Sequence, residues 1–424
     1  MKLRRATLLM ILGAASLSAW GCAAIIGADF DAHLAIEIAS EAEAPDGDVM
    51  APDVGPLVEA GCKHAYVPAK PTGAGAIGDI EFTVAIRSVD YGDGDDDAGK
   101  PRYRQLGYDL DRSCSADDVP GCLIASQAPP EGIDGRDNAA GGMIYGIKAT
   151  AGFIAQSLGS TTDTDSIEKG AFTLMFHVTG YNGQADDAEV VVEWFVSGGF
   201  ADGQDAGPEA GGGRSVPLWD GLDDWPLRKE TVIELAGGGF TSSFITKNAY
   251  VKDDVLVANV GQGRILGGSV PFDLVQLIVT AKIAKEKGPT GGVSYVMKDG
   301  VIAGRWKADA LLQAVPSFLV GGAVSPQLLC PGGVLYETVR GKVCNAQDIS
   351  SGLDLGAATP CDALSVGIAF TSAAVLRPTR LVSVPPTNAG CSVPVKACDG
   401  QELVPDAGPD ASDGSVPKDA AKDG

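Results

Sequence analysis

The stretch from Val293 to Trp306, VSYVMKDGVIAGRW, decides how the chain reads. Two apolar, β-branched runs flank Asp299-Gly300, a dipeptide that supplies the positive φ angles of a type I′ turn. Read this way, the stretch is a tight hairpin of two short strands. Working outward, Ile80 to Val89 alternates as a half-buried strand does. Ala171 to Thr179 and Glu189 to Val196 form a second pair around the turn-rich Gly180-Tyr181-Asn182-Gly183. Phe240 to Val260 holds two more strands around Lys252-Asp253-Asp254, Phe272 to Ile283 reads as a strand, and Leu364 to Leu376 is a long one. Helical spacing is confined to Met143–Leu158, Ala308–Val315 and Val334–Cys344. Many short antiparallel strands with two or three short helices predict a mainly β fold, an antiparallel two-sheet sandwich of jelly-roll type.

Composition bounds the function. An apolar fraction of 45% supplies a core, which excludes wholesale disorder. With 32 Lys plus Arg against 55 Asp plus Glu, the net charge is −23, which argues against nucleic acid, since phosphate binding is driven by basic side chains. Acidic, Gly- and Pro-rich segments mark off the remaining parts. Residues 22–61 read as a disordered acidic tether, 401–424 as a disordered acidic tail, and 202–213 (DGQDAGPEAGGG) as a loop within a β-sandwich domain spanning 62–400.

The first 21 residues carry Lys2, Arg4 and Arg5, then an apolar run from Ala6 to Ala19. That is the layout of a signal peptide; the run is too short to span a membrane. Gly21 directly before Cys22 resembles a bacterial lipoprotein cleavage site, so Cys22 is expected to carry lipid and tie the chain to a membrane. The other eight cysteines, Cys62, Cys114, Cys122, Cys330, Cys344, Cys361, Cys391 and Cys398, form an even set in an exported chain and predict four disulfides. Eight cysteines admit about a hundred pairings; near neighbours are Cys114 and Cys122, Cys330 and Cys344, and Cys391 and Cys398.

Most motif matches fail on context. Gly73-Ala74-Gly75-Ala76-Ile77-Gly78 fits the dinucleotide pattern but follows prolines and precedes a strand. Gly94 to Lys100 lacks the hydroxyl residue of a phosphate loop, with Pro101 in its place. The acidic turn from Asp93 has Ala98 and Arg104 where an EF-hand needs Gly and Glu. The three histidines give no nucleophile arrangement; His177 lies in a strand as a structural residue. Two sets of candidates remain. Asp109, Asp111, Asp134, Asp137 and Asn138 offer hard oxygen ligands on turning backbone and would suit calcium if the chain between them folds back. The competing role for Asp137 or Asn138 is to cap the following helix. Trp219 and Trp225, flanking Asp220 to Asp224, are the aromatic and acidic elements of a sugar-binding surface.

The succession GYDLDRSC, GIDGRDNAAGG, FHVTGYNGQADDAEVVVEWF and KDGVIAGRW is similar to uncharacterised exported or lipoprotein-like bacterial proteins, over roughly residues 62–400. The resemblance implies a secreted β-rich domain and assigns no chemistry to any residue. The expectation is a cell-envelope binding or structural protein, lipid-anchored, with a glycan or another envelope protein as partner. The alternative is a secreted hydrolase that cuts polysaccharide with carboxylates.

Overall fold

The computed structural model describes residues 63–73, 78–114, 121–150, 159–200, 216–236, 239–267, 270–320, 327–352, 358–383 and 391–403. The expected signal peptide, the tether with Cys22, Cys62 at the start of the expected domain, loop 202–213 and most of the acidic tail lie outside them.

Eight strands build the body: β1 (Ile80–Asp90), β2 (Leu174–Tyr181), β3 (Asp187–Val196), β4 (Phe244–Lys252), β5 (Val255–Gly267), β6 (Val270–Lys287), β7 (Val293–Lys307) and β8 (Ala363–Ala374). Each pairs antiparallel with the strand before and the strand after it, and β8 closes on β1. The result is a closed up-and-down barrel. The expected two-sheet sandwich is therefore wrong, and VSYVMKDGVIAGRW shows why. It is one continuous strand of 15 residues, not a hairpin. Asp299 has φ 50°, but the register merely shifts between Lys298 and Val301, which is a bulge. Gly300 lies against Phe370 of β8, where a Cβ would come within 2.3 Å of the ring. The type I′ requirement, positive φ at both central residues, is met instead at Asp253 (54°) and Asp254 (65°), which join β4 to β5. Strands of up to 18 residues, bent by bulges, can curl until the two edges meet, and closure leaves no edge exposed.

Few helices accompany the barrel, as expected. Among the described residues they are α1 (Ala139–Thr150), α2 (Ser160–Glu168), α3 (Ala308–Ala314) and α4 (Val334–Asn345). Alternate barrel residues such as Val84, Phe176, Trp194, Leu277, Ile302 and Val366 form one core with Ile144 of α1, Ile167 of α2, Leu312 of α3 and Val343 of α4. Trp194 meets Phe176 edge-on at 5.0 Å. The outer face of β1–β3 is covered as well: Ala85, Met175 and Phe195 pack under Phe200, Trp225, Leu227 and Val375. Burial on both faces explains why LMFHV and VVVEWFV read as near-continuous apolar runs rather than as alternation.

Among the described residues, three disulfides brace this body: Cys122–Cys361, Cys330–Cys391 and Cys344–Cys398. None of these three joins near neighbours in sequence. The last two fasten the segment around Cys391–Cys398 to the region of α4, where the Arg340 guanidinium also donates to the carbonyls of Ala397 and Cys398.

Candidate cation site on the barrel wall

Arg305 of β7 and Ser365 of β8 are register partners. Their strand neighbours Trp306 and Leu364 belong to the core, so these two side chains point outward. Three loops settle around them. Arg305, itself buried, donates to the carbonyls of Ser350 (2.7 Å), Gly352 (3.1 Å) and Leu110 (2.8 Å). Ser365 donates its hydroxyl to Asp348 Oδ2 (2.5 Å) and its amide to Asp348 Oδ1 (2.8 Å). Tyr108 reaches Thr280 of β6 at 2.7 Å.

The loops also bind one another through their backbones. The Ala65 amide donates to Asp134 O, the Asp109 amide to Ala65 O, and the Asp137 amide to Tyr108 O. Two glycines permit this closeness. A Cβ on Gly107 (φ +95°) would stand 2.5 Å from Asp137 O, and one on Gly135 (φ +70°) would stand 2.8 Å from Ser113 O. Backbone in the left-handed region also occurs at His64, Arg112 and Asp134, one in each converging segment. Such strain persists only where surrounding contacts over-determine it.

Asp109, Asp111 and Asp137 meet at the centre, offering carboxylate oxygens within 4.8 Å of one another. Asp137 Oδ2 accepts from the Leu110 amide at 2.6 Å, and Asp111 Oδ1 from the Ser113 amide at 2.8 Å. The Asp109 side chain is 0% exposed; His64 Nδ1 donates to its Oδ2 at 2.5 Å. Asp109 Oδ1 is buried with no hydrogen-bond partner. The amides of Arg112 and Ser113 favour the charged form of this carboxylate, but no donor reaches Oδ1 in hydrogen-bond geometry. A buried acceptor left unpaired costs about 1–3 kcal/mol, more when charged.

The electrostatics agree. Burial lifts Asp109 above the usual carboxylate range against the opposing pull of His64. Burial, with Asp109 beside it, takes Asp111 to about 6. Asp137 rises well above its ordinary value through burial and the charges of Asp111 and Asp348. Asp348, half-buried, is pushed by desolvation to about 7. One guanidinium, spent on carbonyls, stands against four carboxyl groups. Beside the partial help of His64 on Asp109, protons or a cation would supply the balance, because like charges crowded in low dielectric disfavour the ionised form.

Of the five residues expected to bind calcium, three converge. Asp134 turns away toward Arg136, 3.7 Å distant. Asn138 caps α1: its Oδ1 accepts from the Gly141 amide at 3.0 Å, and its amide donates to Gly367 O at 2.9 Å. Sequence reasoning missed His64, Arg305 and Asp348. For Arg305 a signal existed, a lone charge in the apolar run GVIAGRW; for the other two there was none. His64, Asp109 and Cys114 also stand close enough to suggest a softer metal. However, Cys114 is disulfide-bonded and offers no thiolate, and His64 Nδ1 is engaged by Asp109. The donors that remain are hard oxygens.

The tryptophans expected to bind sugar lie elsewhere. Trp225 is 0% exposed and packs on Phe200 at 4.5 Å. Trp219 is half-buried, 5.4 Å from Trp225, with the Arg87 guanidinium 5.7 Å from its ring centre. Trp225 has no free face for a sugar ring. His177, on the outer face of β2, is 1% exposed and bonded to Thr83 at 2.9 Å.

No protein-family model, curated protein or solved structure matches this chain.

Proposed function

We propose that this chain is an exported, lipid-anchored envelope protein, a binding or structural module whose barrel holds a calcium ion against its wall through Asp109, Asp111 and Asp137. The observation that carries the cation is the convergence of three carboxylates, those of Asp109 and Asp137 buried and that of Asp111 half-buried, together with an Asp109 oxygen that has no hydrogen-bond partner. Calcium fits because it accepts many oxygens in adaptable geometry, carboxylates and carbonyls alike, where magnesium demands a near-ideal octahedron. Disulfides spanning the barrel accord with maturation in an oxidising compartment, which supports the export reading of residues 1–21. No helix among the described residues is long and apolar enough to cross a membrane; attachment would rest on lipid at Cys22. The partner outside the cell would be a glycan or another envelope protein.

Titrating the chelated protein with calcium in a calorimeter should show binding of one ion. At a hundredfold excess over Kd the ion should stabilise the fold by about 2.7 kcal/mol. Asp137→Asn should abolish both the heat and the rise in melting temperature. Wild-type protein that shows neither refutes the site. Separately, cells fed a radiolabelled fatty acid should label the wild-type chain and not Cys22→Ser; equal absence of label from both would remove the anchor.

A further inference from the structure

Asp109 can serve an ion through one oxygen while the other is tied to the protein, the monodentate form of carboxylate binding. His64 does the tying. Its backbone sits at φ 46°, in the left-handed region where Asn, Asp and His are enriched among non-glycine residues. Its ring stacks on Tyr66 at 5.2 Å with the planes 5° apart. Nδ1 meets Asp109 Oδ2 at 2.5 Å, and the Cys114 sulfur lies 3.2 Å from the same nitrogen and 3.7 Å from Nε2. A Cβ on Gly135 would come 3.2 Å from Asp109 Oδ2 and 3.0 Å from the Cys114 sulfur, so the carboxylate has little room to turn.

We propose that His64 is the positioning residue of the cation site: by holding Asp109 Oδ2 it presents the buried Oδ1 to the ion. This rests on the cation reading above. The arrangement is that of a ligand oriented by a partner outside the coordination shell, which commonly sets metal affinity by a factor of about 10–100. Nδ1–H is the donor, and its geometry, not the ring's bulk or stacking, does the positioning.

Two substitutions separate those roles. His64→Phe keeps the ring over Tyr66 and loses the donor. His64→Asn loses the ring, keeps an N–H donor near the place of Nδ1, and tolerates the left-handed backbone. Calorimetric titration with calcium should show His64→Phe weakened about 10–100-fold and His64→Asn within about threefold of wild type. The reverse order would assign His64 a packing role and overturn the proposal. If one variant fails to fold, the other still decides: wild-type affinity in His64→Phe, or large weakening in folded His64→Asn, defeats it. Wild-type protein that binds no calcium ends both this proposal and the reading beneath it. Normal wild-type binding with unchanged His64→Phe ends this proposal alone.

Discussion

Stripped of metal by a chelator, the protein should become more stable, not less, as the pH falls from about 8 to about 5. Asp111, near 6, and Asp348, near 7, are raised in the folded state, and Asp137 is also raised well above its ordinary value. Asp163, away from the site and bonded to Tyr91, is lifted to about 6 by burial. A carboxyl group whose folded pKa exceeds its unfolded one holds a proton that the unfolded chain has already released. Its contribution is fully present below about pH 4 and is lost as the pH rises through the folded value. His177 opposes this: burial and Arg377 lower it, so its contribution is present at neutral pH and fades on acidification. One histidine stands against four carboxyl groups. For Asp348 alone the shift corresponds to about 4 kcal/mol as an upper figure, at about 1.4 kcal/mol per pH unit. Allowing for the opposing group, the net gain should be about 3 kcal/mol, or roughly 6 °C in melting temperature. Calcium replaces the protons as counter-charge, so saturating metal should flatten the profile. A chelated protein whose melting temperature falls steadily over this interval would show that the carboxylates ionise freely, without need of proton or metal.

The second large effect concerns Cys122–Cys361. This bond closes a sequence separation of 239 residues, and both cysteines are buried. It pins Leu123 beside Pro360, with the Cys361 amide donating to Leu123 O at 3.0 Å. Directly beyond it, Asp362 accepts from the amide and hydroxyl of Ser351, and Ala363 exchanges hydrogen bonds with Ile349. The bond therefore anchors the loop that carries Asp348. Replacing both cysteines with alanine should lower unfolding free energy by about 3–5 kcal/mol, since the unfolded chain regains the entropy of a very long loop. Urea denaturation would measure it as a lower midpoint, with a steeper slope because the unfolded chain without the cross-link exposes more surface. An unmoved midpoint would mean that the backbone hydrogen bonds alone secure this loop.

The sequence carried the strand positions well. Ile80–Val89, Glu189–Val196 and Leu364–Leu376 lie within two residues of β1, β3 and β8, and α3 and α4 stand where their spacing put them. Strand formation is local, set by β-branched and apolar residues that favour extended backbone. What misled was one dipeptide. Asp299-Gly300 has turn chemistry, but Gly300 pairs with Phe370 across the sheet and the strand runs on through a bulge. Halving that strand turned a barrel into a sandwich.

The acidic cluster was half legible. Asp109, Asp111 and Asp137 stood out because carboxylates crowd turn-rich sequence. Asp134 and Asn138 were indistinguishable from them until the backbone showed which side chains point inward. His64 stands 45 residues before Asp109, with which it pairs, and Asp348 is held by Ser365, 17 residues further on; no local pattern joins either to the aspartates.

By itself, then, the amino-acid order determined that this is an acidic, β-rich, cysteine-bearing chain with a core, because composition and short-range periodicity are properties of neighbours. Barrel closure, the disulfide partners and the meeting of three aspartates, one of them with an unpaired oxygen, were decided only in the folded state. They depend on contacts between residues tens to hundreds of positions apart, whose energies come from burial and mutual charge once the loops are laid on the barrel wall.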